Sequence, residues 1–285
     1  INTRLTLSYA EQLTLSGLPS ERAFLCLQQL CHALNIPDKL HLELSSVIPE
    51  HVGLGSGTQM AIAVGTALSA FYDLRLSVRD IAQMTERGAR SGIGVATFEQ
   101  GGLVVDGGRG KHTLTPPVIS RMTVPDDWRF ILVFDRRGQG LHGKQEIQAF
   151  KELPPFPQQE AARLCYLLMM QGLPALAEGD IQLFGDAITQ LQTSVGEHFA
   201  SAQGGVFTSQ EVASVMQFLQ QQGAVAIGQT SWGPTGFCAV QGVELAERLK
   251  QQVENDYAHC ENLSVLIASA RNSGGEVIVE RTLVR

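Results

Sequence analysis

Apolar and polar residues alternate along several stretches of the chain. Leu40, Leu42 and Leu44 are separated by His41, Glu43 and Ser45, a period of two that predicts a half-buried strand. A weaker alternation over residues 5–15 predicts another. Between them Pro19-Ser20-Glu21 reads as a helix start, and Phe24, Leu25, Leu27, Leu30 and Leu34 recur at helical spacing until Asn35-Ile36-Pro37 stops the helix. From Thr58 to Tyr72 the residues Met60 to Leu68 are small and apolar nearly all round, which predicts a helix buried on most faces. Ser77 with Asp80 predicts a further helix start that runs to Gly88, beyond which the chain is glycine-rich through Gly108. Strand-like runs follow at 118–124 and 130–134.

Glu152-Leu153-Pro154-Pro155-Phe156-Pro157 holds three prolines in four positions, which forbids a helix or a central strand. A domain boundary is expected there, with residues 1–152 in one domain and 153–285 in the other. The second part reads as helices over about 158–171, 180–200, 209–222 and 243–253, with strands at 224–229, 237–240, 265–268 and 276–283. The fold class is α+β.

Composition changes this picture by exclusion. With 285 residues, 44% hydrophobic and 17% charged, the chain can bury a substantial core. A net charge of −7 offers no general basic face, so no nucleic-acid partner is expected. No apolar run reaches the roughly 18–20 residues of a membrane span and no signal peptide is visible, so no membrane partner is expected either. The five cysteines, Cys26, Cys31, Cys165, Cys238 and Cys260, are scattered through apolar runs without a Cys-x-x-Cys. They read as reduced core thiols, which predicts a cytoplasmic location and no zinc. His32, His41, His51, His112, His198 and His259 show no metal-ligand spacing, and no metal ligands are assigned. The chain begins at Ile1 without a methionine, and an N-terminal piece is expected to precede it.

Three segments carry candidate chemistry. Gly53-Leu54-Gly55-Ser56-Gly57-Thr58 joins a strand to the small-residue helix. Consecutive backbone N–H groups at such a start can surround phosphate oxygens, favoured by the helix dipole; the alternative is a tight turn with Ser56 or Thr58 as N-cap. The segment Glu86 to Gly94 places Arg87 and Arg90 beside Ser91, Gly92 and further glycines. Guanidinium groups suit bidentate recognition of a carboxylate or phosphate, although a solvated helix end would also take arginine. Asp106, at a strand end, is either a turn residue or a candidate catalytic or metal-facing carboxylate. Asp135 to Lys144 follows an apolar strand, where loops often carry sites.

Pro49-x-x-x-Gly53-Leu54-Gly55-Ser56 resembles the second motif of the GHMP superfamily, the galactokinase, homoserine kinase and mevalonate kinase group. Arg87 through Gly108, and Gly228-Gln229-Thr230-Ser231-Trp232-Gly233-Pro234-Thr235-Gly236-Phe237, look like one branch of it, the β-ribofuranosylaminobenzene 5′-phosphate synthases. The superfamily loop usually continues Ser-Ser where this chain has Ser56-Gly57, which weakens a kinase reading. The resemblance implies a two-domain GHMP-kinase-like fold, with an N-terminal part like ribosomal S5 domain 2 and a ferredoxin-like C-terminal part. It implies a decarboxylating phosphoribosyltransferase of tetrahydromethanopterin biosynthesis, which joins phosphoribosyl pyrophosphate to 4-hydroxybenzoate or 4-aminobenzoate. Magnesium is expected with the pyrophosphate, and no organic cofactor. Gly140, Leu141 and Gly143 are implied to line the substrate pocket, with His142 or Lys144 reaching an anion. Ser231, Trp232, Thr235 and Gly236 are implied to touch substrate, Trp232 by stacking on an aromatic ring. An ATP-dependent small-molecule kinase and a non-catalytic phospho-ligand binding protein stay open as alternatives, as does a homodimer.

Overall fold

Leu40, Leu42 and Leu44 are fully buried, and strand β3 (Leu40–Ser46) that carries them is the centre of a three-stranded sheet. In this computed structural model, which describes residues 1–137, 152–231 and 233–280, β1 (Arg4–Tyr9) pairs antiparallel with β3 on one side and β2 (Thr14–Gly17) pairs parallel on the other. The single alternation expected over residues 5–15 is therefore two strands, because strands of opposite direction on opposite sides of β3 require a turn between them.

Helix α1 (Glu21–Leu34) starts where Ser20 Oγ accepts the Ala23 N–H, and it ends at Asn35, which takes the left-handed φ of 52°. With α2 (Ser56–Phe71) it buries Ala23, Leu27, Leu30, Met60, Val64 and Leu68 against the sheet. Helix α3 (Val78–Met84) opens on the capping box of Ser77 and Asp80 and stops short of Gly88. Gly65 brings α2 close to it: a Cβ there would lie 2.3 Å from Ile81 Cγ2.

The glycine-rich tract holds a helix that its composition does not announce, α4 (Ile93–Gln100). Val95 packs with Ile62 and Ala82, and this burial outweighs the low helix propensity of Gly94. The left-handed pair Gly101 and Gly102 then turns the chain into the hairpin of β4 (Leu103–Asp106) and β5 (Val118–Met122). The C-terminal segment returns here. Gly102 N donates to Arg271 O (2.7 Å) and Gly275 N to Phe98 O (2.6 Å), while the Arg121 guanidinium donates to the carbonyls of Gln100, Gly101 and Asn272. The strand expected from residue 276 is not formed over 276–280.

A second sheet contains β6 (Trp128–Asp135), β7 (Val225–Gln229), β8 (Thr235–Gln241) and β9 (Leu263–Ala268), all antiparallel in the order β7-β8-β6-β9. Helix α5 (Gln158–Leu167) continues through a π-helical turn, Leu168–Gly172, into α6 (Leu173–Glu178). It passes the end expected near 171, and Pro174 falls in the first turn of α6, where a missing N–H costs no intrahelical bond. Then come α7 (Ile181–Gln203) and α8 (Gln210–Gln221), and α9 (Val243–Asp256) lies between β8 and β9. The succession around this sheet is the β-α-β-β-α-β ferredoxin-like arrangement. Its core includes Ile131, Val133, Val215, Met216, Leu219 and Leu249. Edge strand β7 is covered by α7, whose Thr189 Oγ1 accepts the Ile227 N–H (3.0 Å) and whose Gln192 Oε1 accepts the Gln229 N–H (3.1 Å).

Because β6 lies inside this sheet, the chain divides ahead of it. One unit comprises Ile1–Pro49, Gly55–Thr123 and the segment from Arg271 onward; the other comprises Glu50–Leu54 and Val124–Ala270. The division at Thr123/Val124 replaces the expected one at residue 152, and the prolines of 154–157 form a connection within the second unit. No helix among the described residues is long and apolar enough to cross a membrane. The five cysteines form no disulfide; Cys26, Cys31 and Cys238 are buried as expected, whereas Cys165 is exposed.

At the carboxyl end of β6, Asp135 is only 4% exposed. Its carboxylate accepts from the Arg137 guanidinium (3.0 Å) and backbone N–H (2.9 Å), Ser209 Oγ (2.8 Å) and Asn262 Nδ2 (3.0 Å). This knot ties β6 to the starts of α8 and β9.

Gly65→Ala is expected to destabilise the protein by about 1 kcal/mol, because overpacking of roughly 1–3 kcal/mol exceeds the gain of about 1 kcal/mol in helix propensity. A urea midpoint equal to or above that of the parent would show that Ile81 yields without cost. Burial of Asp135 by itself would raise its pKa, but the hydrogen bonds from Arg137, Ser209 and Asn262 outweigh it and hold the carboxyl well below the usual range. The stabilisation is thus complete above the unfolded-state pKa of about 3.9 and is lost as pH falls from there toward the folded-state value. Denaturant unfolding measured from pH 6 to pH 2 should fall more steeply for the parent than for Asp135→Asn; parallel curves would remove the knot from the acid response.

Candidate functional site

Helix α2 begins in an unusual way. Its N-cap is Gly55, with φ 70°, and no side chain caps it, so neither Ser56 nor Thr58 fills the role that an ordinary turn would give them. The N–H groups of Thr58 and Gln59 turn back to the Gly55 carbonyl. A Cβ on Gly55 would meet nothing within 4 Å, so the backbone at the head of the helix faces open space.

Two arginines converge on this helix start. A Cβ on Gly57 would lie 3.2 Å from Nη1 of Arg22 and 3.4 Å from Nη1 of Arg87. Arg22 stands in the first turn of α1, where the helix dipole disfavours a cation. Arg87 Nε is shut off from solvent with no hydrogen-bond partner among the described residues. Two guanidinium groups beside backbone donors at the positive pole of a helix suit an anion. Composition and motif reading missed Arg22; an arginine in the first turn of a well-capped helix was the available signal.

The tract from Arg87 to Gly108 wraps the same turn of α2. Gln59 Nε2 donates to Gly94 O (2.7 Å), and a Cβ on Gly94 would touch Thr58 Cγ2 at 3.0 Å. Asp106 braces this tract: one carboxylate oxygen accepts from Ser91 Oγ (2.8 Å) and Gly92 N (2.7 Å), the other from Gly108 N (3.0 Å). Ser91 Oγ in turn accepts the Ile93 N–H at the head of α4. Asp106 is therefore a positioning residue for the loop. Gly92, implied to contact substrate, is buried, and a Cβ there would lie 2.5 Å from the Pro116 carbonyl oxygen. Arg90 and Ser91 are exposed.

In the second unit, the Val52 carbonyl accepts from the hydroxyls of both Thr230 and Thr235, each at 2.9 Å. A Cβ on Gly53 would lie 2.3 Å from Thr230 Oγ1, and one on Gly233 would lie 2.6 Å from Val52 O. The glycines thus let the segment Glu50–Leu54 press directly on the 230–235 turn, and Gly53 anchors the loop there. Thr235 is fully buried on the Val52 clamp, and a Cβ on Gly236 would lie against Val212 and Met216 in the core. Ser231 is exposed. Gly140, Leu141, His142, Gly143, Lys144 and Trp232 lie outside the described residues. Among the described residues no group of three or more His, Cys, Asp or Glu side chains gathers in a way that could hold a metal ion.

Known proteins place this geometry in a family. The model of the GHMP kinases N terminal domain matches residues 21–102, and that of the GHMP kinases C terminal domain matches 173–259. Homoserine kinase from Cytophaga hutchinsonii superposes with a TM-score of 0.63 at 17% identity, over 96% of this chain and 87% of that one, which shows the shared fold. A protein named beta-ribofuranosylphenol 5'-phosphate synthase from Methanothermobacter thermautotrophicus is 31% identical over 69% of this chain, which spans 62% of that relative's length. Its namesake from Archaeoglobus fulgidus is 35% identical over 84% of this chain and 76% of its own. The chain has the GHMP kinase fold and belongs to the beta-ribofuranosylphenol 5'-phosphate synthase family.

Proposed function

We propose that the chain transfers a phosphoribosyl group from phosphoribosyl pyrophosphate to the ring carbon of an aromatic acid that bears the carboxyl group, with loss of carbon dioxide and pyrophosphate. The observation that carries this reading is the bare start of α2 beside Arg22 and Arg87, an anion site of backbone donors and two guanidinium groups. Such a site stabilises the charge that grows on a departing pyrophosphate. Magnesium enters with the pyrophosphate, as part of the donor substrate.

The relatives are named for a ribofuranosylphenol phosphate. A phenol results when the acceptor acid carries a hydroxyl, so 4-hydroxybenzoate is the acceptor in this reading. The carbon–carbon bond forms as the ribose C1′–oxygen bond breaks and pyrophosphate takes that electron pair. The ring then expels carbon dioxide, and the pair of the broken carbon–carbon bond restores aromaticity. The ring loses carbon dioxide where ordinary substitution loses a proton, so no base need act on the ring carbon. Holding the partners in line and stabilising charge supply most of the rate. Asp106, in this account, acts through the loop that it braces.

Arg22→Ala and Arg87→Ala should each raise the KM for phosphoribosyl pyrophosphate by roughly ten- to a hundredfold, as loss of a charge-assisted hydrogen bond worth about 1.5–3 kcal/mol implies. Wild-type constants in both folded variants would remove the α2 start from the donor site. The reaction itself is tested with 4-hydroxybenzoate labelled in its carboxyl carbon, phosphoribosyl pyrophosphate and magnesium. Labelled carbon dioxide should appear in step with pyrophosphate, without ATP. Retention of label in a ribosylated product would keep the transferase and discard decarboxylation, whereas ADP formation from ATP and a small alcohol, with the acid inert, would replace it by a kinase.

A further inference from the structure

The connection between β4 and β5, residues 107–117 of the first unit, is basic in an acidic chain. Residues 87–123 carry five Lys or Arg against two Asp or Glu, whereas the whole chain carries 21 against 28. Arg109, Lys111 and His112 stand exposed on this connection, and their side chains have no hydrogen-bond or ion-pair partner among the described residues. The acid that precedes them, Asp106, has both oxygens committed to Ser91, Gly92 and Gly108. The fold therefore leaves the positive charge of Arg109 and Lys111 unpaired.

The connection is nevertheless held in shape. Gly107 N donates to Pro117 O (2.8 Å) and Gly108 N to Asp106 (3.0 Å), and Gly110 N donates to Thr113 Oγ1 (2.8 Å) across a turn that carries Lys111 and His112 at its tip. Gly108 takes φ 68°, and a Cβ there would meet nothing within 4 Å, so the backbone is open to a ligand. Thr115 Oγ1 is shut off from solvent without a hydrogen-bond partner among the described residues, as Arg87 Nε is. A Cβ on Gly88, the residue after Arg87, would lie 3.5 Å from that hydroxyl. Buried donors without acceptors are rare, and two of them on adjoining residues point to an oxygen-rich group that the protein itself does not supply.

Both ends of the connection rest on the tract that reaches the start of α2. At one end Asp106 binds it to Ser91 and Gly92, two residues before the Gly94 that packs on Thr58. At the other, Thr115 lies on Gly88 and the Pro116 carbonyl on Gly92.

We propose that this connection is a second phosphate site, which takes the 5′-phosphate monoester of the donor while the start of α2 takes its pyrophosphate; the proposal deepens the transferase reading above and rests on it. Phosphoribosyl pyrophosphate carries phosphate at both ends of the ribose, and Arg22 and Arg87 account for one end. A phosphate monoester has about two negative charges near neutral pH, matched by the planar fork of Arg109 and the point charge of Lys111. Binding at two ends that do not react fixes the ribose carbon between them for attack.

Ribose 5-phosphate and magnesium pyrophosphate probe the two ends separately, by calorimetric titration. The double variant Arg109→Ala, Lys111→Ala should bind ribose 5-phosphate about tenfold or more weakly than wild type, with its affinity for magnesium pyrophosphate changed by less than about twofold. Arg22→Ala should show the converse. Both loop side chains are exposed and unpaired, so the double variant should keep the wild-type urea midpoint. In turnover it should raise the KM for phosphoribosyl pyrophosphate and leave kcat nearly unchanged. Equal weakening of both ligands would show a diffuse basic field and overturn the site. Unchanged affinity for ribose 5-phosphate in the double variant, or no binding of it by wild type, would overturn it too. If wild type binds ribose 5-phosphate through this loop but transfers to no aromatic acid, the transferase reading fails and the phosphate site stands. If carbon dioxide is released in step with pyrophosphate while the double variant matches wild type in both measurements, the transferase reading stands and the site is wrong.

Discussion

The arrangement of the first unit depends on one constraint: helix α2 starts on a glycine. Gly55 holds a left-handed conformation and offers no side chain, so no side chain caps the donors of the first turn. Nearly every neighbouring feature follows from that exposed pole. The Arg87–Gly108 tract is wrapped against Thr58 and Gln59, α1 contributes Arg22 from a position where its own dipole resists a cation, and Gly57 is small enough to let both guanidinium groups approach. Stability alone would favour a serine or aspartate cap and an acidic first turn, and the start of α2 departs from both.

Several polar residues in and beside the candidate segments hold backbone in place. Asp106 spends both carboxylate oxygens on the Ser91–Gly92 and Gly108 backbone, and Thr230 and Thr235 spend their hydroxyls on a single carbonyl, that of Val52. In the second unit Asp135 does the same for three elements at once. A reaction driven by charge stabilisation and alignment needs this kind of investment, since a loop that presents backbone donors is only as good as the bonds that fix its shape.

The elements with strong local signals were legible in the sequence. The Leu40-x-Leu42-x-Leu44 alternation, the Ser20 cap with its Asn35 stop, and the Ser77–Asp80 box each describe an interaction between near neighbours, and the structure contains all three. What escaped depends on partners distant in the chain. Helix α4 forms because Val95 finds Ile62 and Ala82, not because Gly92-Ile93-Gly94 favours a helix. The prolines at 154–157 punctuate the chain as strongly as a linker would, yet β6 before them is paired on both sides by strands from after them. The site was legible in part for the same reason. Gly55 and Arg87 sit in recognisable motifs, whereas Arg22 belongs to no motif and is drawn in only by the packing of α1 on α2.

In the proposed reading, Gly57 is what fits a kinase-like loop to a transferase. Where the superfamily usually has a second serine, this chain has glycine, and the vacated space lies against the two guanidinium groups at 3.2 and 3.4 Å. Any side chain at 57 would press on them. A hydroxyl beside a triphosphate helps to hold a metal ion for phosphoryl transfer, whereas two fixed cations neutralise whatever anion the helix start binds, without regard to which bond in the ligand breaks. On this reading the loop still binds a polyphosphate, but it has exchanged a metal-facing group for arginines that stabilise pyrophosphate as a leaving group.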